Sequence, residues 1–242
     1  MFSYIWHTFF FDPIYNILVF FIDVAPRGDV GLAIVCTVVV VKTILLPLSV
    51  RAAKTQKTMK EIEPKLREIK ENHKDDRQQQ AQAMMSVYKE AQISPFASII
   101  LIFLQIPIVF ALYFAVSRGG GIPLPDINSD LLYAFVMVPE IVNTHFLELI
   151  DMTGRSALLA ALAGITQFVQ INMTLPKLAA RDPEAAPGMK DEFMRNMQLQ
   201  MRYVMPIIIA VVAYTISAAI ALYFLVSNVV GILQEFYIKK HR

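Results

Sequence analysis

One lysine lies inside an apolar stretch that is long enough to cross a membrane. Residues 30–50, VGLAIVCTVVVVKTILLPLSV, would extend about 31 Å as a helix, close to the hydrocarbon thickness of a bilayer. Lys42 is the only formal charge in this stretch and lies well away from either end. A lysine near mid-membrane costs about 2.5–3.5 kcal/mol on insertion scales, so a water-filled cavity or a partner must offset that cost.

Snorkelling toward the cytoplasmic headgroups is the alternative explanation for Lys42. Its stem reaches about 6 Å, whereas Arg51 lies roughly 13 Å further along the helix axis. The cavity is therefore the favoured interpretation. No carboxylate shares the helical face of Lys42, so the pairing group must come from another segment or from a substrate.

Several polar side chains in other apolar stretches are candidates for lining such a cavity. In residues 156–175, Thr166, Gln167, Gln170 and Thr174 recur at spacings of three and four, which places them on one side of a helix. Hydrogen bonding between helices explains such a stripe as well as cavity lining does. The other candidates for the groove are Gln105, Ser227, Asn228 and Gln234.

Signatures of catalysis and of cofactor binding are missing from the sequence. It contains no Gly-x-x-x-x-Gly-Lys-Ser/Thr motif for a nucleotide, and its four histidines are too scattered to predict a metal site. The single cysteine, Cys36, lies within the first apolar stretch and cannot form an intrachain disulfide. We therefore predict a protein that is not an enzyme and needs no cofactor.

The composition predicts an all-α polytopic membrane protein. Of 242 residues, 56% are hydrophobic and only 17% are charged, against about 25% in soluble domains. Mean hydropathy is +0.50. Five transmembrane helices are predicted, at about 30–50, 96–117, 156–175, 203–216 and 219–238, within a core of residues 27–240.

The segments between the predicted spans differ sharply in charge. Residues 51–93, 176–202 and 239–242 hold ten, five and three Lys/Arg, whereas residues 118–155 hold two. The positive-inside rule makes the first three cytoplasmic and 118–155 an outer loop. The N-terminus is then outside and the C-terminus cytoplasmic. Residues 1–26 are aromatic but interrupted by polar groups, which favours an interfacial amphipathic helix, with a span over 13–26 as the alternative.

Residues 51–93 predict a cytoplasmic helical hairpin. Apolar residues recur at helical spacing on both sides of a polar break at residues 73–76, and Pro64 is expected to separate the first span from the hairpin proper. A solvated spacer is one interpretation and a docking surface is the other. The candidate docking residues are Lys57, Lys60, Lys65, Arg67, Met84, Met85 and Tyr88.

Motifs in the expected order resemble the YidC-type membrane protein insertases. The resemblance covers about residues 10–240 and rests on Gly31-Leu-Ala-Ile34, Val41-Lys-Thr-Ile-Leu-Leu-Pro-Leu48, Glu63-Pro-Lys65, Met84-Met-Ser-Val-Tyr-Lys89, Gln105-Ile-Pro-Ile108, Met205-Pro206 and Ala221-Leu-Tyr-Phe-Leu-Val-Ser-Asn228. It implies a five-helix cup with a hydrophilic groove that opens to the cytoplasm and to lipid and is closed on the outer face. It also implies a plasma-membrane location, with nascent membrane proteins, a ribosome and a Sec-type translocon as partners.

The resemblance gives Lys42 a role, namely attraction of the acidic tails of incoming membrane proteins. Relatives most often have arginine at this position, and a lysine keeps the charge but lacks the planar fork that grips a carboxylate. The position one turn earlier, often polar in relatives, is Val38, and Ser217-Ala-Ala219 replaces a frequent Pro-Ser-Gly turn. With no large outer domain, the chain is expected to be a minimal member.

A transporter or channel and a pure assembly factor are the alternatives to an insertase. A small-solute or ion transporter or channel would be expected to show internal repeats and interrupted helices around a midplane site, and no repeat is seen. A pure assembly factor would fold helices without translocating tails, and it would not need the charge of Lys42.

Overall fold

The computed structural model describes residues 2–73, 76–94, 97–117, 122–175 and 195–240. These residues form two compact units, one of Met1–Lys42 with Ile108–Arg242 and the other of Thr43–Pro107. The predicted cytoplasmic loop 176–202 lies largely outside the described residues.

Helices account for most of the described chain. In order they are α1 (Phe2–Trp6), α2 (Asp12–Val24), α3 (Val30–Ile44), α4 (Leu46–Asn72), α5 (Arg77–Glu90), α6 (Ala97–Ser117), α7 (Ala157–Thr174), α8 (Met205–Ile216) and α9 (Ala218–Lys240). Short 3₁₀ turns cover Pro26–Gly28 and Ser129–Leu131, and π-helical turns, at His7–Phe11 and Gln200–Val204, join α1 to α2 and precede α8. The strands described are β1 (His145–Phe146) and β2 (Ile150–Asp151), which pair antiparallel.

Four helical segments are long and apolar enough to cross a membrane within the described residues, or five if the broken pair α3–α4 counts as one span. They are Ser3–Val24, Ala157–Thr174, Arg195–Ile216 and Ala218–Ile238. The predicted all-α polytopic membrane fold is therefore confirmed. Helix α6, Ala97–Ser117, is 21 residues long, carries an apolar sequence and covers nearly all of the predicted span 96–117. The interfacial placement of residues 1–26 stays a prediction.

The stretch 30–50 is two helices rather than one. Helix α3 ends at Ile44 and α4 begins at Leu46, with Pro47 in its first turn. Proline suits that position because its missing N–H would have no partner in the first turn of a helix. Helix α4 then runs without a break through Pro64, so the expected separation there is wrong. Pro64 is exposed, and water can satisfy the backbone carbonyl that the proline leaves free.

Helices α4 and α5 form the predicted hairpin and enclose a small apolar contact, because Leu66 and Val87 are both buried. The Asp76 side chain caps α5 by accepting hydrogen bonds from two backbone N–H groups, each at 2.9 Å. Lys65 Nζ lies 2.8 Å from Glu90 Oε2, which ties the end of α5 to α4. This pair is solvent-exposed, and exposed pairs contribute about 0–1 kcal/mol, so apolar burial dominates the hairpin.

Three helices of the first unit, α7, α8 and α9, pack closely together. A Cβ atom on Gly164 of α7 would lie 2.9 Å from the Ala210 Cβ of α8, so only glycine allows this approach. Helix α8 ends at Ile216 and α9 begins at Ala218, after the extended residue Ser217. The backbone N–H of Ala218 donates to the carbonyl of Gly154 at 2.7 Å, which fixes the start of α9 to the outer loop.

The described part of the predicted outer loop, residues 122–155, is also fixed to α2 and α3. The Asn16 side chain, 2% exposed, donates to the carbonyl of Leu131 at 2.9 Å and accepts from the N–H of Tyr133 at 2.6 Å. The Asp29 side chain, 5% exposed, accepts from the N–H of Leu32 at 2.9 Å and from that of Leu147 at 2.7 Å. Asp29 therefore caps α3 and anchors the loop with the same carboxylate.

Candidate functional site

Lys42 lies in the last turn of α3, three residues before the helix break at Leu45. Its side chain is half-buried, and Val38, one turn earlier, is 2% exposed. A cation in the last turn interacts favourably with the negative end of the helix dipole, which offsets part of the cost of burial. The break at Leu45 thus places the lysine at a helix terminus, where the continuous helix expected from the sequence would have placed it mid-helix.

No acidic side chain pairs with Lys42 in the part of the chain that the structure describes. The nearest polar group on its own helix toward the N-terminus, Thr37, is buried and donates its hydroxyl to the carbonyl of Ala33 at 2.7 Å. The only donor of the Thr37 side chain is therefore used in a hydrogen bond within α3. Neither Thr37 nor an acidic side chain among the described residues therefore takes up the N–H donors of Lys42.

The polar stripe on α7 meets α9. The Asn228 side chain, 4% exposed, donates to the carbonyl of Ala163 at 3.1 Å and lies 3.3 Å from the Thr166 hydroxyl. Thr166 in turn donates to the carbonyl of Leu162 at 2.8 Å. Two predicted site residues are thus joined by a hydrogen bond between helices, one of the two interpretations that the sequence left open. Such bonds contribute about 0.6 kcal/mol on average inside membranes.

One further predicted residue, Gln170, belongs to the same contact between α7 and α9. The Gln170 amide occupies the space in which a side chain at position 231 would lie, so Gly231 allows the glutamine to approach α9. Ser227 is buried and hydrogen-bonds with the Tyr223 side chain. Gln167 on α7 and Gln234 on α9 are half-buried, and Thr174, at the end of α7, is exposed.

Helix α3 has fully buried side chains, among them Val30, Ala33 and Ile34. Among the described residues it makes no extensive close backbone contact with α7, α8 or α9. Gln105 belongs to the second unit, where it is half-buried on α6. Of the predicted site residues, the structure brings Thr166, Gln170 and Asn228 to the contact between α7 and α9, whereas the hydrogen bond of Ser227 lies within α9.

The candidate docking residues of the hairpin differ in how exposed their side chains are and in whether they form ion pairs within the hairpin. Lys65 pairs with Glu90, and Arg67 Nη2 lies 2.8 Å from Glu63 Oε1, so these two cations are partly neutralised within the hairpin. Met85 is 47% exposed, whereas Met84 and Tyr88 are half-buried. The backbone of Lys57 and Lys60 lies in α4, and their side chains fall outside the described part.

Sequence reasoning missed two features of this site. One is the full break at Leu45: Pro47 predicted at most a kink that would help Lys42 to snorkel, although proline is frequent at the start of a helix. The other is the bond by which Asp29 holds the start of α3 to the loop at Leu147. The signal in the sequence is the position of Asp29, an acidic residue just before an apolar run. Its second partner, Leu147, is 118 residues away and carries no local signal.

Comparison with known proteins finds one family over nearly the whole chain. The model of the 60Kd inner membrane protein family matches residues 21–242. A protein of Bacillus anthracis named membrane protein insertase YidC 2 is 30% identical over 240 residues, which cover 97% of this chain and 81% of that protein. The membrane protein insertase YidC of Oceanobacillus iheyensis is 31% identical over 241 residues, with 98% and 84% covered.

Relatives differ in how much of their length this chain matches. The membrane protein insertase YidC of Syntrophobacter fumaroxidans is 29% identical over 239 residues, which are 99% of this chain and 39% of that protein. The protein of the same name from Fusobacterium nucleatum subsp. nucleatum is 28% identical over 235 residues, which are 96% of this chain and 98% of that protein. The shared region is therefore the set of apolar helices described above.

Proposed function

The chain belongs to the 60Kd inner membrane protein family, whose matched relatives carry the name membrane protein insertase YidC, and we propose that it too inserts and folds nascent membrane proteins. It is a multi-pass protein of the cell membrane. The observation that carries the proposal is Lys42, a half-buried cation in an apolar helix with no acidic partner among the described residues. A charge inside a membrane helix is costly, and such residues typically face a water-filled cavity or a substrate pathway.

The proposed mechanism follows from the energy of charges in a medium of low polarity. An acidic tail that must cross hydrocarbon is stabilised when a wet groove shortens its path and a fixed cation attracts it. Lys42 provides that attraction in the proposed groove, and the half-buried Gln167 and Gln234 provide polar lining. The apolar segment of the substrate then moves sideways into lipid, driven by about 0.8 kcal/mol per buried CH₂ group. No nucleotide is needed for this step.

Site-specific photocrosslinking tests the proposal. A photoreactive residue at position 42, and a second at Val35 that leaves Lys42 in place, are expected to capture a stalled nascent membrane protein, because Val35 lies two turns earlier on the same face. The matched control is Phe20 on α2, which is exposed but lies on another helix. Equal capture from Phe20, or none from positions 42 and 35, would contradict a groove beside α3.

We propose that α2 lies along the outer membrane surface. As a span, α2 would hold Asn16 about 12 Å below Val24. Asn16 is bonded to the outer loop beside Ser129 and Asp130, and both of these residues are exposed. Irregular backbone and the charged side chain of Asp130 would then face lipid, and both are costly there. An interfacial α2 keeps the same contacts and leaves the loop in water.

Thiol labelling of intact cells tests this topology. With Cys36 replaced by serine, an impermeant maleimide outside the cell is expected to label Ser129→Cys and not Lys89→Cys, because the hairpin is cytoplasmic in the proposed topology. Permeabilised cells provide the control, in which both positions react. Labelling of Lys89→Cys alone in intact cells would invert the assigned orientation.

We propose that the hairpin recruits a ribosome carrying a nascent chain, with a Sec-type translocon as a second partner. Ion pairs partly neutralise Lys65 and Arg67, so the exposed Met85 is the stronger candidate for a contact. Met85→Glu is expected to reduce co-sedimentation with ribosomes that carry a stalled membrane protein. Ser86→Glu adds the same charge at an exposed neighbour and is expected to have a smaller effect. Equal losses would mean that charge, and not the methionine, decides binding.

A further inference from the structure

The turn between β1 and β2 exposes two leucines on the outer loop. We name His145–Asp151 the outer hairpin. Leu147 and Leu149 within its turn are 55% and 81% exposed, whereas its other apolar side chains, Phe146 and Ile150, are half-buried. Single exposed leucines are ordinary, but two within one short turn form an apolar patch, and exposed apolar patches mark contact surfaces.

The backbone of this turn is strained in a way that keeps the leucines outward. Leu147 and Glu148 have φ values of 50° and 62°, a left-handed conformation that favours glycine or asparagine. The N–H of Leu149 donates to the carbonyl of Phe146 at 3.0 Å and closes the turn. A bulky apolar residue in such a conformation persists only where the surroundings hold it, and strain of this kind is typical of functional surfaces.

The outer hairpin is held directly on the first turn of α3. The Phe146 ring packs where a Cβ of residue 31 would lie, so Gly31 makes room for it. The N–H of Leu147 donates to the Asp29 carboxylate at 2.7 Å, and that carboxylate caps α3. The turn therefore lies at the level where α3 enters the membrane in the proposed topology. At that level an exposed side chain meets the boundary between headgroups and acyl chains.

The charged groups of the outer hairpin are matched within the protein. Glu148, between the two leucines, forms an ion pair with Arg27. Asp151 accepts from the Thr153 N–H at 3.0 Å and from its hydroxyl at 2.8 Å. Partial burial raises the pKa of Asp151, but the hydrogen bonds of Thr153 and Thr144 and the nearby His145 outweigh that effect and lower it. Both acids have partners within the protein, and the exposed pair of Glu148 and Arg27 keeps its contact with water, which a location at the headgroups allows.

We infer that the outer hairpin docks into the outer leaflet of the bilayer through Leu147 and Leu149. The occupant of this surface is lipid, because the hairpin is fixed to the first turn of α3, which is the outer end of a membrane helix in the proposed topology. Docking would hold the outer end of α3, and with it the helix that carries Lys42, at a constant depth. The inference rests on the outer orientation in the proposed function.

Spin labelling of the full chain tests the docking. With Cys36 replaced by serine, a nitroxide is placed on Leu149→Cys or, as the matched control in the same loop, on the exposed Ser129→Cys. The chains are reconstituted in nanodiscs of phosphatidylcholine and phosphatidylglycerol. Collisions with oxygen, which enters lipid, and with a nickel chelate, which stays in water, are then compared. The label at position 149 is expected to collide more often with oxygen than with the chelate. The label at position 129 is expected to collide more often with the chelate than with oxygen.

Two results would overturn the docking. If the label at position 149 collides with the chelate as often as the label at position 129, the leucines face water. If the label at position 149 is then protected from the chelate only in native membranes, a protein partner covers the leucines instead. If position 149 is shielded from both reagents, the leucines contact protein. Insertion by the same labelled chains in proteoliposomes is measured in parallel. Normal insertion with a water-exposed label refutes the docking alone, whereas lost insertion with a lipid-exposed label counts against the proposed function.

Discussion

Lys42→Glu is expected to slow the insertion of a membrane protein whose outer tail is acidic by roughly 30-fold. Two unit charges 4 Å apart interact by about 1 kcal/mol in water, so reversing the sign of one changes the interaction by about 2 kcal/mol, and each 1.36 kcal/mol is a factor of ten in rate. The true effect is larger if the groove is less polar than water. Purified variants in proteoliposomes, with a protease-protection assay of the substrate tail, provide the measurement.

The substrate provides the control for this prediction. The same membrane protein with a neutral tail is expected to insert at the same rate with Lys42 and with Lys42→Glu, because the electrostatic attraction then has no target. Lys42→Arg is expected to retain insertion, since guanidinium carries the same charge and adds a bidentate grip. Lys42→Ala is expected to fall between the two. Normal insertion of the acidic tail by Lys42→Glu would remove the electrostatic part of the mechanism.

Asp29→Ala is expected to destabilise the protein by about 2–4 kcal/mol, because one carboxylate serves two parts of the fold. Loss of a helix N-cap costs about 1 kcal/mol, and a buried N–H without a partner costs about 1–3 kcal/mol. Both losses occur at once here, since Asp29 holds the N–H of Leu32 and that of Leu147. Chemical unfolding in lipid–detergent micelles, followed by far-ultraviolet circular dichroism, provides the measurement.

Two further variants separate the contributions of Asp29. Asp29→Asn retains one oxygen that can cap α3 but offers an amide instead of the second acceptor, so its cost is expected to be smaller. Asp126→Ala removes an exposed acid from the same loop and is expected to be almost neutral. If Asp29→Ala unfolds at the same denaturant concentration as Asp126→Ala, the anchor between the outer loop and α3 contributes nothing to stability.

Much of the architecture follows from local sequence patterns. Apolar runs close to 20 residues determine that the chain is polytopic and helical, because only a helix satisfies its own backbone within hydrocarbon. The hairpin follows from helical periodicity on either side of residues 73–76, and the structure shows in addition that Asp76 caps α5. These features depend on neighbours within one or two turns.

The candidate site was only partly predictable. Lys42 is visible in the sequence because a charge in an apolar run is rare. The stripe from Thr166 to Thr174 was visible too, but its spacing could not distinguish a wet face from a helix contact. Only the packed α9, with Asn228 against Thr166 and Gly231 against Gln170, shows that part of this stripe is used between helices.

The sequence by itself determined the membrane class, the helical content and the isolated charge of Lys42, since these follow from composition and from spacing along one helix. The tertiary structure decided the break at Leu45, the contact between α7 and α9, and the anchoring of the outer loop. Those features depend on pairings such as Asn16 with Leu131 and Asp29 with Leu147, 115 and 118 residues apart. A backbone N–H or carbonyl is the same at every residue, so only the folded chain selects which of them a buried side chain will meet.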